Sequence, residues 1–254
     1  MTDVQGASVD VTTADGTADA YLAHPADGEP HPGVLFYQDA YGPRPQLRSM
    51  ADRLAAAGYT VLLPNVFYRH GGKPFGELPE FIDPSADPTI WRRIRPVMDS
   101  LTPEQSRRDA DAYLGFLADN PFVADGPVAV TGYCMGARLA LRTAATHPDR
   151  VAAAAGFHGG RLVTDAPDSP HRGAGNVTAE LYFGFADQDA SMPAEQIREL
   201  EQALDAAGVR YTSEVYPGAQ HGYTQADTPA YDRQADERHR SALLALLDRA
   251  FRTS

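Results

Sequence analysis

Short apolar runs punctuate the chain, and between them lie stretches whose apolar residues recur at helical spacing. Val9–Thr13 and Ala18–His24 flank Ala14-Asp15-Gly16-Thr17, which predicts two strands about an Asp-Gly turn. Gly33–Gln38 (Gly-Val-Leu-Phe-Tyr-Gln) reads as a buried strand. Leu47, Met50 and Leu54 fall at i, i+3 and i+7, predicting a helix over 47–57 that stops at Gly58. A second buried strand, 60–63, meets Pro64. Thr102-Pro103-Glu104 has the form of an N-cap followed by Pro at the first helical position, so a helix is expected from there to about Ala118. Further strands are expected at 128–131, 151–157, 178–185 and 211–216, with helices at 134–147, 193–207 and 231–251. Residues 65–103 break the pattern. They are rich in Pro, Gly and Arg, without a sustained period, and too long for a plain loop. Short helices that form a lid or site wall are the expectation there.

From residue 33 onward strands alternate with helices, and the strands are continuous apolar runs, the mark of strands covered on both faces. The fold class expected is α/β: one domain over 1–254, an open and mostly parallel sheet with helices on both faces and an antiparallel hairpin at its N-terminal edge. Sites in such sheets lie where strands end at their carboxyl termini.

Composition narrows the function. In 254 residues, 22 Lys and Arg against 34 Asp and Glu leave a net charge of −12, which argues against nucleic acid and against anionic membrane surfaces. One cysteine allows no internal disulfide. Residues 1–20 hold four Asp and no apolar core of an export signal, and no stretch is long enough to span a membrane. A cytoplasmic protein is expected, as a monomer or small homo-oligomer. HExxH and paired cysteines are absent, so no metal is expected, and neither GxGxxG nor GxxxxGK[ST] occurs.

The chemistry gathers after the strand at 128–131. Gly132-Tyr133-Cys134-Met135-Gly136 is the Cys form of the nucleophile elbow G-x-S-x-G. A strand that turns sharply into a helix strains its central residue, and the flanking glycines supply the room. The thiol then projects at a helix N-terminus, where partial positive charge favours thiolate, and the Met135 amide points at the same place as an oxyanion donor. A base should follow the acid in chain order. His221, in Gln220-His221-Gly222-Tyr223 after a strand, is the candidate. His239, within Asp236-Glu237-Arg238-His239-Arg240, reads as a solvated surface residue, and most of His24, His31, His70, His147 and His171 read as exposed. His158 ends a strand and is a candidate pocket residue. The acid is either Asp187 or Asp189, both in the loop after the strand 178–185. Asp39 follows the strand 33–38, in the loop that gives the second oxyanion donor of this elbow; a turn-forming role is its competing reading.

In order, Gln38-Asp39-Ala40-Tyr41-Gly42, Gly132-Tyr133-Cys134-Met135-Gly136, Asp189-Ala190-Ser191-Met192-Pro193 and His221-Gly222-Tyr223 resemble the dienelactone hydrolase family of α/β-hydrolases, over about residues 17–250. The resemblance implies a Cys134-His221-Asp189 triad, since the family's acid stands four residues before a Pro. It implies oxyanion donors at the Ala40 and Met135 amides, an acyl-thioester intermediate, a small-molecule ester or lactone substrate and no cofactor. Two departures stand out. Asp39 occupies a position where well-known members have a Glu that interacts with the resting thiol. Gln225 stands four residues after the His, where dienelactone-cleaving members carry an Arg for the substrate carboxylate. Arg69, Arg92, Arg93 and Arg95 are alternative anion contacts from the irregular segment, with Arg69 and Gln225 taken as possible pocket residues. Two rival functions use the same features: acyl transfer or cyclisation by the same triad, and a receptor in which the fold binds without turnover.

Overall fold

Gly16, at a φ of 140°, closes a hairpin between β1 (Val4–Thr13) and β2 (Gly16–Pro25). Its antiparallel register runs from Val4 opposite Pro25 to Thr13 opposite Gly16. β1 starts earlier than its apolar pattern suggests, because residues 4–8 are exposed or half-buried and are held by the ladder rather than by burial. The computed structural model describes residues 2–72 and 74–252, and the chain divides into two units, 1–126 with 227–229, and 127–226 with 230–254.

The first unit has the strand order β1-β2-β4-β3. β3 (Gly33–Tyr37) and β4 (Thr60–Pro64) are buried at every residue and pair in parallel, whereas β2 meets β4 antiparallel. Between β3 and β4, α1 (Pro45–Ala55) buries Leu47, Met50 and Leu54, and Gly58 (φ 100°) releases the chain into β4. The irregular stretch contains a 3₁₀ turn at Tyr68–His70 and an eleven-residue helix, α2 (Ile90–Ser100), which buries Ile90 and Ile94 and tolerates Pro96 in its interior. α3 (Pro103–Ala118) begins with a capping box: Gln105 N–H donates to Thr102 Oγ1 at 3.2 Å, and Thr102 N–H donates to Gln105 Oε1 at 3.0 Å. Arg69 is spent within this unit. Its guanidinium donates to buried Asp109 at 2.7 and 2.8 Å and to Asp15 at 2.7 Å, tying the hairpin turn to α3.

The second unit has the order β5-β6-β7-β8, all parallel. β5 (Val128–Tyr133) leads into α4 (Met135–Thr146), and β6 (Val151–Phe157) reaches β7 (Glu180–Gln188) through a loop with a 3₁₀ turn at Pro170–Asn176. α5 (Ala194–Ala206) connects to β8 (Tyr211–Gln220), and α6 (Arg233–Arg252) packs on β6 and β7. β7 and β8 extend beyond their expected ends, with an irregularity between Ala186 and Gln188, so that Gln188 lies opposite Gln220. The next residues of the two strands are Asp189 and His221. The parallel strands, the helical connections and the N-terminal antiparallel hairpin are the α/β class the sequence predicts.

Three histidines expected at the surface are buried or nearly so: His24, stacked on Phe122 at 3.9 Å, His147 and His171. His239 is a further correction. It is 2% exposed, because helical periodicity places it with Ala235, Asp236 and Leu243 on the buried face of α6 despite its charged sequence neighbours. It meets the Tyr133 hydroxyl at 2.9 Å and Asp236 Oδ1 at 3.1 Å.

The capping box gives a first expectation. Thr102→Ala removes one of the two cap bonds and should lower stability by about 1 kcal/mol, read as a shifted urea midpoint with an unchanged m-value.

Candidate active site

Cys134 sits between β5 and α4 at φ 55° and ψ −117°, a left-handed conformation that a residue with a Cβ adopts only under constraint. The constraint is local. A Cβ at Gly132 would collide with the Gly136 carbonyl, so only glycine lets strand and helix approach this closely. The Cys134 N–H donates to Phe157 O at 3.1 Å, pinning the turn to the end of β6. The thiol is half-buried and therefore reachable. It stands at the N-cap of α4, whose first N–H groups have no intrahelical acceptor, Met135 among them. That end of the helix favours negative charge.

Asp189 and His221 are brought together by the paired ends of β7 and β8. His221 Nδ1 lies 2.6 Å from Asp189 Oδ2. Asp189 Oδ1 accepts from the Ser191 hydroxyl at 2.6 Å and from its N–H at 2.8 Å. Burial opposes ionisation of Asp189, but the bond from His221 and those from Ser191 outweigh it and hold its carboxyl below the usual range. Burial likewise opposes the charged imidazole of His221. Attraction to the Cys134 sulfur and hydrogen bonds to Asp189 and Cys134 outweigh it, raising His221 from 6.5 to about 10. The structure thus bonds Asp189 to His221 and sets the Cys134 sulfur near enough to the imidazole to raise it. Asp187, the other acid considered, is exposed and accepts from the Gly218 N–H at 3.0 Å.

His158 is fully buried and also holds a positive φ, 37°. Its ring packs edge-to-face on His221, with centroids 5.3 Å apart, and its Nε2 meets Thr224 Oγ1 at 2.8 Å. Gln225, buried as well, donates from Nε2 to the same Thr224 oxygen at 3.0 Å. Ser191 and Thr224 went unread in the sequence. The signal for Ser191 is the Asp-x-Ser turn at 189–191; Thr224 carries no signal of its own beyond following the His221 loop.

Asp39 and Ala40 belong to the first unit, and both are buried. Asp39 Oδ1 accepts the Tyr41 N–H at 2.8 Å, a turn-forming bond, and Arg44 Nη1 at 2.8 Å, while its buried Oδ2 has no partner among the described residues. Arg44 also pairs with Asp227 through Nε at 2.5 Å. Arg69, committed to Asp15 and Asp109, directs its guanidinium to structural partners.

A model of the dienelactone hydrolase family matches residues 18–251. The chain belongs to the dienelactone hydrolase family. A Methylorubrum extorquens relative, provisionally assigned as a carboxymethylenebutenolidase, is 29% identical over 88% of this chain and 74% of its own. A Salmonella typhi relative with the same provisional assignment is 28% identical over 84% of this chain and 75% of its own. Among solved structures, a Klebsiella pneumoniae protein provisionally assigned as a dienelactone hydrolase superposes with a TM-score of 0.84 at 23% identity, covering 96% of this chain and 98% of its own. As a member of the dienelactone hydrolase family the chain is a lactone or ester hydrolase, and its fold is that of the α/β-hydrolases. Among the described residues no helix is long and apolar enough to cross a membrane.

The raised His221 carries a pH expectation. A histidine raised on folding stabilises the fold fully below its unfolded value of 6.5, and this contribution is lost as pH rises through about 10. In Cys134→Ala the attraction of the sulfur is gone, so the His221 titration, followed by NMR of its ring, should move down from the wild-type value. An unchanged titration would contradict the coupling.

Proposed function

We propose that this hydrolase cleaves its ester or lactone through an acyl-thioester on Cys134, with His221 as the base and Asp189 as the acid that orients it. The file Asp189–His221–Cys134 at a strained strand-to-helix turn carries this reading. Nδ1 of His221 is committed to Asp189, which leaves Nε2 for the sulfur.

His221 Nε2 takes the thiol proton and Cys134 Sγ attacks the carbonyl carbon; the S–C bond forms and the carbonyl electrons move onto oxygen. The Met135 amide meets this oxyanion, and a preorganised donor of this kind is worth about 3 kcal/mol in the transition state. When the intermediate collapses the C–O bond breaks, and the departing alkoxide takes the proton from His221. In a lactone this alcohol stays tethered to the acyl group. A water then gives a proton to His221 while its oxygen attacks the thioester; the S–C bond breaks to release the acid, and the departing sulfur takes the proton back from His221. Asp189 remains ionised throughout, holding Nδ1–H and stabilising the imidazolium. The family resemblance assigns the second oxyanion donor to the Ala40 amide and the tempering of the resting thiol to Asp39. Gln225, an amide held on Thr224, brings no charge to a substrate carboxylate, which favours neutral small esters and lactones over dienelactone itself.

Steady-state turnover of p-nitrophenyl acetate and a small lactone panel tests the assignment. Cys134→Ala and His221→Ala should each lose activity by about a thousandfold or more, and Asp189→Asn by a comparable factor at unchanged fold. Cys134→Ala with wild-type turnover would overturn it.

A further inference from the structure

His158 is buried, backbone-strained and in contact with His221, yet the chemistry above gives it no task. Its neighbourhood touches every member of the file. The residue before it, Phe157, accepts the Cys134 N–H through its carbonyl at 3.1 Å. Its own N–H donates to Gly184 O at 2.8 Å, on β7, the strand that Asp189 follows. Two residues later, a Cβ at Gly160 would press on the Ser191 hydroxyl at 2.6 Å and stand 3.7 Å from His221 Cε1. The left-handed backbone at His158 therefore turns the end of β6 across the face of the site.

The side chain completes the arrangement. The imidazole of His158 stands edge-to-face against His221, with centroids 5.3 Å apart, and against Tyr223 at 5.0 Å. Its rotation is fixed at the far end by Thr224 Oγ1 at 2.8 Å, an oxygen that also accepts from Gln225 Nε2 at 3.0 Å. Tyr223 is itself anchored, its hydroxyl donating to Gly184 O at 3.0 Å. The loop carrying His221 is thereby gripped from the end of β6, two strands away, by a ring and a hydrogen bond. A ring held by one bond at Nδ1 can still swing about that bond; a wall on its face removes the freedom.

We infer that His158 is a positioning residue for His221. Its Thr224-tethered ring holds the imidazole of His221 in the orientation that turns Nδ1 to Asp189 and Nε2 to Cys134. The inference rests on the proposed role of His221 as base, and it adds a residue that the reaction itself does not consume. It also gives Gln225 a place, as the residue that steadies Thr224.

The test uses the full chain and three variants: His158→Phe, which keeps a ring but no nitrogen, Thr224→Val, which removes the tether, and His158→Gln, whose amide can reach Thr224 again. Turnover of p-nitrophenyl acetate gives kcat and KM, and proton NMR follows the downfield Nδ1–H of His221 in its short bond to Asp189. His158→Phe and Thr224→Val should each lower kcat tenfold or more, with KM within twofold, and broaden or shift that proton, at thermal midpoints near the wild type. His158→Gln should regain part of the lost kcat and sharpen the signal. Wild-type kcat and an unmoved proton in both Phe and Val variants would overturn the inference, as would a loss of kcat matched by loss of folded protein alone. Because the NMR signal reports the Asp189–His221 bond and not the nucleophile, it separates this failure from the failure of the acyl-thioester reading, which Cys134→Ala turnover decides.

Discussion

Where β5 becomes α4, the backbone passes through φ 55° at Cys134, and most of the site follows from keeping it there. Such a conformation costs of order 1–3 kcal/mol for a residue with a side chain and persists only where its surroundings over-determine it. Gly132 lets the helix press against the strand, and the Phe157 carbonyl takes the Cys134 N–H. Once the turn is made, its consequences are electrostatic. The sulfur sits at the N-terminal end of α4, facing groups that prefer an anion.

The second half of the site is a matter of sheet register. β7 and β8 stay paired two or more residues beyond the point where their apolar runs end, through an irregularity at Ala186–Gln188. Because Gln188 faces Gln220, the residues that follow the two strands, Asp189 and His221, come side by side. The 2.6 Å contact between Asp189 and His221 is thus set by backbone pairing, before any side chain has to choose a rotamer. His158 then stands where the neighbouring strand ends, so three adjacent strand ends of one parallel sheet deliver Asp189, His221 and the ring beside it. This is the general reason that open parallel sheets carry their sites at one end.

Much of this was legible in the sequence because it depends on local pattern. The Asp-Gly hairpin, the strands at 33–37 and 151–157, the Thr102 cap and the Gly132-x-Cys134-x-Gly136 elbow all follow from turn chemistry and periodicity. What escaped depends on partners distant in the chain. Turn chemistry and periodicity alone do not separate Asp187 from Asp189; the resemblance favours Asp189 through its spacing to Pro193, and the Gln188–Gln220 register sets it beside His221. His239 sits among charges in sequence, but a helix presents every third or fourth residue to one side, and that side of α6 is buried. The helix α2 was obscured by Pro96 and its arginines; its Ile90 and Ile94, four apart, are the only apolar residues it buries. Asp39 takes the turn-forming role that its position allows, since one oxygen accepts the Tyr41 N–H while also binding Arg44.

The central claim is that the acyl group passes through the sulfur of Cys134. Rapid-quench intact-protein mass spectrometry of the wild type with p-nitrophenyl acetate addresses it directly, with peptide mapping to locate any adduct. The account predicts a transient gain of one acetyl group, on Cys134 and nowhere else, that decays at the rate of turnover. Turnover without any adduct on Cys134, or with the acetyl on another residue, would contradict it.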